Sequence, residues 1–164
     1  QYFIDRYPIL PMDAQGLIDG LDRQITARYE QYARPKDGVI DFLNRLQARG
    51  IRMAIATLTA RRHAEKALRD RGMLGYFDFL LTIEDVGISK REPEIYLRAA
   101  TRMGLSPAEC VVFEDAPYAG VTAKRAGFRV CGMAEPAYAG GESELRAVSD
   151  FFVEHSFDEL AGEL

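Results

Sequence analysis

The chain predicts an α/β fold: a mostly parallel β-sheet with flanking helices. Three observations carry this reading. From Val39 onward, short apolar runs alternate with segments of helical spacing, and strands alternating with helices imply βαβ units. Glycines at 50, 72 and 127 stand where the helical patterns run out, as C-terminal stops do. Cys110 to Gly127 reads as strand, two acids, proline, helix and glycine in that order.

The elements follow in sequence. Ile25 to Tyr32 is helical and amphipathic, and Arg34-Pro35-Lys36-Asp37-Gly38 breaks the pattern. That Pro/Gly break is the candidate boundary between residues 1–34 and 35–164. Val39, Ile40, Phe42, Leu43 and Leu46 then lie at helical spacing up to Gly50, and Ile51 to Ala56 is an apolar strand run. A helix through Ala64, Ala67 and Leu68 ends near Gly72, and Phe77 to Ile83 is the next strand. Pro93 opens a helix carrying Ile95, Tyr96 and Ala99, since proline is favoured in a first turn. Ser106-Pro107-Ala108-Glu109 has the pattern of a capping box on a short turn. Val111, Val112 and Phe113 form a run suited to a strand buried on both faces. The helix ending at Gly127, a strand near Val130 and a last strand at 151–153 complete the alternation.

Bulk properties exclude several functions. Hydrophobic residues make up 48% of the chain and charged residues 28%, so a core of normal size is possible. The net charge of −4 argues against nucleic-acid binding, which needs a basic footprint. No stretch approaches the length of an apolar membrane span, and no signal-peptide pattern opens the chain. Cys110 and Cys131 each border a strand-like run and read as buried free thiols, which fits a cytoplasmic setting. His63 and His155 have no ligand-spaced neighbours, so zinc is not expected.

Three strand ends carry chemistry. In open α/β sheets, ligands bind beyond the carboxyl ends of the strands. Glu114 and Asp115 sit at such an end and suit a hard cation such as Mg²⁺, which takes oxygen ligands. They would also serve as a solvated acidic turn ahead of a helix N-terminus. Thr57-Leu58-Thr59 closes a buried run with hydroxyls before Arg61. Such a segment can cradle an anion, or its threonines can simply cap the next helix. Lys90 lies in the loop Ser89-Lys90-Arg91-Glu92-Pro93, where it can offer a point charge to phosphate or remain solvated.

Taken together, the order and spacing of these ends resemble the haloacid dehalogenase-like (HAD) superfamily, within it the β-phosphoglucomutase and small sugar-phosphate phosphatase branch. Asp85-Val86-Gly87-Ile88-Ser89-Lys90 through Pro93-Glu94-Ile95-Tyr96 is similar to that branch's third motif. Phe113-Glu114-Asp115-Ala116-Pro117, with Gly120-Val121 and Ala126-Gly127 behind it, is similar to the fourth, and Thr57 falls at the Ser/Thr of the second. Arg91 and Glu94 depart from the proline and aspartate usual there. The resemblance covers about residues 25–135. It implies a Rossmann-like core over 35–164 and part of a helical cap over 1–34, with Arg34–Gly38 as one of its hinges.

The implied activity is a Mg²⁺-dependent phosphatase acting on a small phosphorylated metabolite through an aspartyl-phosphate. Thr57, with Leu58 beside it, would bind the phosphoryl group. Lys90 would stabilise its charge, and Glu114 and Asp115 would hold Mg²⁺. A phosphomutase of the β-phosphoglucomutase type and a catalytically inactive phosphate- and metal-binding module are the alternatives. The expected partner is a small phosphorylated substrate, with no nucleic acid or membrane, and the expected state is a monomer or weak homodimer.

The superfamily's first motif, a strand ending Asp-x-Asp-Gly that supplies the nucleophile, occurs nowhere in the 164 residues. The expectation is that a stretch carrying that strand and the rest of the cap lies outside this segment. The segment alone would then be inactive, and short of a stable fold, because the first strand belongs centrally between those ending at Thr57 and Glu114. A competing reading takes Tyr2-Phe3-Ile4-Asp5-Arg6-Tyr7 as a degenerate first motif with Asp5 as nucleophile. Against it, Tyr7-Pro8 lacks the flexible glycine. The same aromatics would also suit the packing face of a cap helix.

Overall fold

The computed structural model describes residues 13–163, so Asp5 and the other residues of the competing first motif lie outside the described residues. The chain divides into two compact units, with the boundary between Arg34 and Pro35. The first is described by helix α1 (Ala14–Tyr32). Asp13 caps it by accepting a hydrogen bond from the Gly16 N–H at 2.7 Å. Ala33 ends it in an extended conformation, as suits a chain approaching Pro35. Ile18, Leu21, Ile25 and Tyr32 are exposed on this helix.

The second unit alternates as its periodicity predicts: α2 (Val39–Ala48), β1 (Ala54–Ala56), α3 (Arg61–Asp70), β2 (Phe79–Leu81), α4 (Ile83–Val86), α5 (Glu94–Met103), β3 (Val111–Glu114), α6 (Pro117–Arg125), β4 (Arg129–Met133), α7 (Glu142–Val148) and β5 (Phe151–Val153). All pairings are parallel. β1 pairs β2 with Ala54 opposite Phe79, while β3, β4 and β5 form a second ladder with Val112 opposite Val130 and Gly132 opposite Phe152. β1 and β3 each keep one edge without a strand partner among the described residues.

That open edge explains one departure from expectation. Val111, Val112 and Phe113 are half-buried rather than buried. The strand covered on both faces is β4, which runs between two neighbours and buries Val130, Cys131 and Gly132. Both cysteines are free and buried, as expected, and burial pushes the Cys131 thiol up to about 12.

Two strands are shorter than their apolar runs. Only Ala54–Ala56 of the run from Ile51 enters a ladder, and Ile51 is exposed. The predicted strand through Ile83 stops at Leu81 because Thr82 and Asp85 form a capping box that turns the chain into α4. The Thr82 N–H and hydroxyl both donate to the Asp85 carboxylate, at 2.7 and 2.9 Å. α7 was not legible as a helix, yet a parallel β4–β5 pair needs a crossover. Its Leu145 is buried against α6, where a Cβ on Gly120 would come within 2.3 Å of Leu145 Cδ1. Gly120→Ala should therefore cost about 1–3 kcal/mol, the usual penalty for overpacking a core. An unchanged urea midpoint would show that Leu145 moves aside freely.

The core joins both ladders through α5. Its Ile95, Tyr96, Ala99 and Ala100 share an apolar cluster with Ala54 and Ala56 of β1 and with Val112 and Val130. A second cluster packs α2 on the other ladder, with Phe42 and Phe157 5.1 Å apart and Phe113 edge-on to Phe42 at 5.6 Å. Gly38 opens α2 at φ +73, and a Cβ there would lie 2.7 Å from Ser156 Oγ. This position demands glycine. Among the described residues no helix is long and apolar enough to cross a membrane.

Candidate active site

The candidate residues lie at the carboxyl ends of β1 and β3 and in the loop before α5. Glu114 is the last residue of β3 and pairs with Gly132 in the ladder, so its backbone is fixed by main-chain hydrogen bonds. Its side chain turns into the protein and only 4% of the residue is exposed. A carboxylate buried that deeply needs partners. It has two: Lys90 Nζ forms an ion pair with Glu114 Oε1, and the Tyr96 hydroxyl donates to the same oxygen at 2.7 Å. The Lys90 side chain is 15% exposed and its ammonium also lies 5.5 Å from the centre of the Tyr96 ring. Burial, then the charge of Glu114 and the hydrogen bond to it, holds the Tyr96 phenol far above its ordinary range. It is a neutral donor at any working pH.

Tyr96 is the member of this contact group that sequence reasoning did not assign to the candidate site. The 3.6-residue spacing of α5 assigns it to the core, where it does lie. The only signal was chemical, because a buried tyrosine hydroxyl usually finds a polar partner.

Asp115 follows Glu114 and leaves the strand. It is half-buried, and among the described residues no hydrogen bond engages its carboxylate. Its charge is felt by Tyr96 and by Tyr138. Tyr118 lies in the first turn of α6.

The β1 end is organised differently. The Thr57 N–H donates to the Leu81 carbonyl at 2.9 Å, extending the ladder by one rung. Thr57 Oγ1 accepts from the Thr59 N–H at 3.1 Å. The N-terminus of α3 is already taken: the Arg61 N–H donates to both oxygens of Glu84, at 3.1 and 3.2 Å. Hydrogen bonds from Thr82 and from the Arg61 backbone hold the Glu84 carboxyl below its ordinary range. The Leu58 N–H is left without an acceptor among the described residues. The structure thus brings Lys90, Glu114 and Tyr96 into direct contact, with Asp115 adjoining. Thr57 and Leu58 end the other ladder and make no hydrogen bond or ion pair to that group.

Among the described residues no three His, Cys, Asp or Glu side chains form a metal-binding group. The two carboxylates still fit Mg²⁺ in part, since that ion usually takes one or two protein carboxylates and fills its remaining positions with water and phosphate oxygens. Asp115 is open for this role. Glu114 has one oxygen committed to Lys90 and Tyr96 and only the other to give.

Residues 8–127 match the family model of the haloacid dehalogenase-like hydrolases. The chain is 37% identical over 97 residues to validoxylamine A 7'-phosphate phosphatase of Streptomyces hygroscopicus subsp. limoneus, covering 59% of this chain and 46% of that one. It is 33% identical over 106 residues to a phosphorylated carbohydrates phosphatase of Thermotoga maritima, covering 64% and 49%. The chain spans about half the length of these curated relatives. The solved structure of a Thermotoga maritima protein provisionally assigned as a β-phosphoglucomutase superposes with a TM-score of 0.76 at 25% identity, over 93% of this chain and 70% of that one. The family match runs through Thr57, Lys90, Glu114 and Asp115, and the chain belongs to the haloacid dehalogenase-like hydrolase family.

Proposed function

We propose that this chain forms the phosphate- and metal-binding part of a Mg²⁺-dependent phosphatase acting on a small phosphorylated sugar or sugar-like metabolite. The observation that carries the reading is the buried Lys90–Glu114 pair beside an open Asp115 at the end of β3. Phosphoryl transfer asks little of a protein beyond positioning and neutralising charge on the equatorial oxygens. Lys90 would supply charge to the transferring group, with the Thr57 hydroxyl and the Leu58 N–H as further donors. Asp115, with Glu114 in support, would hold Mg²⁺, which when bound neutralises phosphate charge. Glu114 and Tyr96 would act on Lys90, fixing its ammonium rather than touching the substrate. Residues 1–34 would be part of a helical cap and residues 35–164 the core, with Arg34–Gly38 as a hinge. The names of the similar proteins support a phosphorylated carbohydrate as substrate class.

Metal and lysine neutralise charge but provide no covalent acceptor. No Asp-x-Asp-Gly occurs in these 164 residues. The chain as given is therefore expected to leave p-nitrophenyl phosphate intact in the presence of Mg²⁺. The same chain extended at its N-terminus by a strand ending Asp-x-Asp-Gly should hydrolyse it. Robust turnover by the unextended chain would point to Asp5 as nucleophile. An extended, folded chain that binds Mg²⁺ and phosphate without turning over would favour the inactive binding module.

A further inference from the structure

Lys90 and Arg91 are consecutive, yet they leave the chain in different directions. Lys90 turns inward to Glu114, while Arg91 is exposed and its guanidinium lies 4.9 Å from the centre of the Tyr118 ring. The Arg91 carbonyl lies 3.3 Å from the Thr122 hydroxyl of the same helix, whose shorter hydrogen bond, at 2.8 Å, goes to the Tyr118 carbonyl. Stacking on an aromatic face fixes the plane of a guanidinium but leaves its edge N–H groups free to bind. Some exposed arginines here spend those donors on carboxylates, as Arg98 does on Glu94 and Arg146 on Glu142 and Glu154, while Arg45, Arg102 and Arg129 stack on rings as Arg91 does. Arg91 differs from these in following Lys90 directly. No carboxylate pairs with Arg91 among the described residues. Its ring partner, Tyr118, stands three positions after Asp115 in the first turn of α6. An ordered, unpaired guanidinium therefore flanks the same carboxylate end of β3 that Lys90 enters.

We propose that Arg91 is a specificity-determining residue that binds a second oxyanion, phosphate or carboxylate, on the non-reacting part of the substrate. This rests on the reading of Lys90 and Asp115 as the site of the transferring phosphate, and it narrows the substrate class to phosphorylated sugars with a second acidic group. Guanidinium suits this task because its planar fork matches an oxyanion with two parallel hydrogen bonds.

The test is calorimetric binding to the chain extended at its N-terminus by a strand ending Asp-x-Asp-Gly, the first aspartate of that motif replaced by asparagine so that no ligand is turned over, with Mg²⁺ and glucose 6-phosphate, 6-phosphogluconate or fructose 1,6-bisphosphate. Wild type should prefer the two doubly acidic ligands by about tenfold, the scale of one charge-assisted bidentate contact. A preference for only one of them identifies the second group as carboxylate or phosphate. Arg91→Gln should lose most of that preference and Arg91→Lys part of it. Arg125→Gln, which removes one exposed charge at the far end of α6, should keep it. Equal affinity of wild type for all three, or a preference that survives Arg91→Gln or falls equally in Arg125→Gln, overturns the role of Arg91 alone. Failure of every ligand to bind overturns the phosphate-site reading and the role of Arg91 together.

Discussion

Lys90→Ala is expected to lower kcat by about 10²–10³-fold in the chain extended with an Asp-x-Asp-Gly strand, the scale of removing one preorganised transition-state donor. KM should change far less, because the charge Lys90 meets is greatest in the transition state. The same substitution should lower the stability of that extended chain by about 3–5 kcal/mol, since Glu114 would remain as a buried carboxylate without its cation. Its side chain is only 5% exposed, so water cannot replace the ammonium. The double variant Lys90→Ala/Glu114→Gln separates the two effects: it should recover part of the stability and none of the turnover. Urea unfolding and steady-state kinetics on the three proteins decide it. A single variant as stable as wild type would mean that the buried pair is not held as described.

Asp115→Asn should produce the second large effect, on metal binding rather than folding. Replacing outer-shell partners of bound metals typically costs about 10–100-fold in affinity, so loss of a direct carboxylate ligand should cost at least that much. No hydrogen bond engages Asp115 among the described residues, and the urea midpoint without metal should stay within about 0.5 kcal/mol of wild type, as for ordinary surface changes. Titration calorimetry with MgCl₂ reads the affinity directly. Equal Mg²⁺ affinity in wild type and variant would remove Asp115 from the metal site.

The two carboxylates show how far sequence could reach. Their adjacency at the end of an apolar run was legible, and so was their place at the mouth of a parallel sheet. Which of them is engaged was not. Successive residues of a strand point to opposite faces, so the outcome depends on where the last rung of β3 falls. The ladder includes Glu114, which sends that side chain inward to Lys90 and Tyr96 and leaves Asp115 open. A one-residue difference in strand end would exchange their surroundings, and apolar patterning does not resolve boundaries that finely.

The alternation of strands and helices was readable for a different reason. Burial of Phe42, Leu43 and Leu46, or of Ile95, Tyr96 and Ala99, imposes a period that local sequence records. α7 offers chiefly Leu145 to the core, too few apolar positions to register as a period. The pairing of Arg91 with Tyr118 spans a loop and a helix 27 positions apart (118 − 91). Nothing in the local pattern encodes such a contact. Half-burial of Val111 to Phe113 was likewise hidden, since exposure of a strand depends on what lies beside it.

The placement of Glu114 on the final rung of β3 also has a thermodynamic consequence. A lysine in an open loop carries about 2 kcal/mol of rotamer entropy, which an arriving anion must take away before the ammonium can be used. Lys90 is instead tethered to a carboxylate whose own backbone is locked in the ladder to Gly132. Its freedom is surrendered when the chain folds, long before any ligand is present. An anion bound at this strand end would meet a charge already in position, so that ordering entropy would not be lost again on binding.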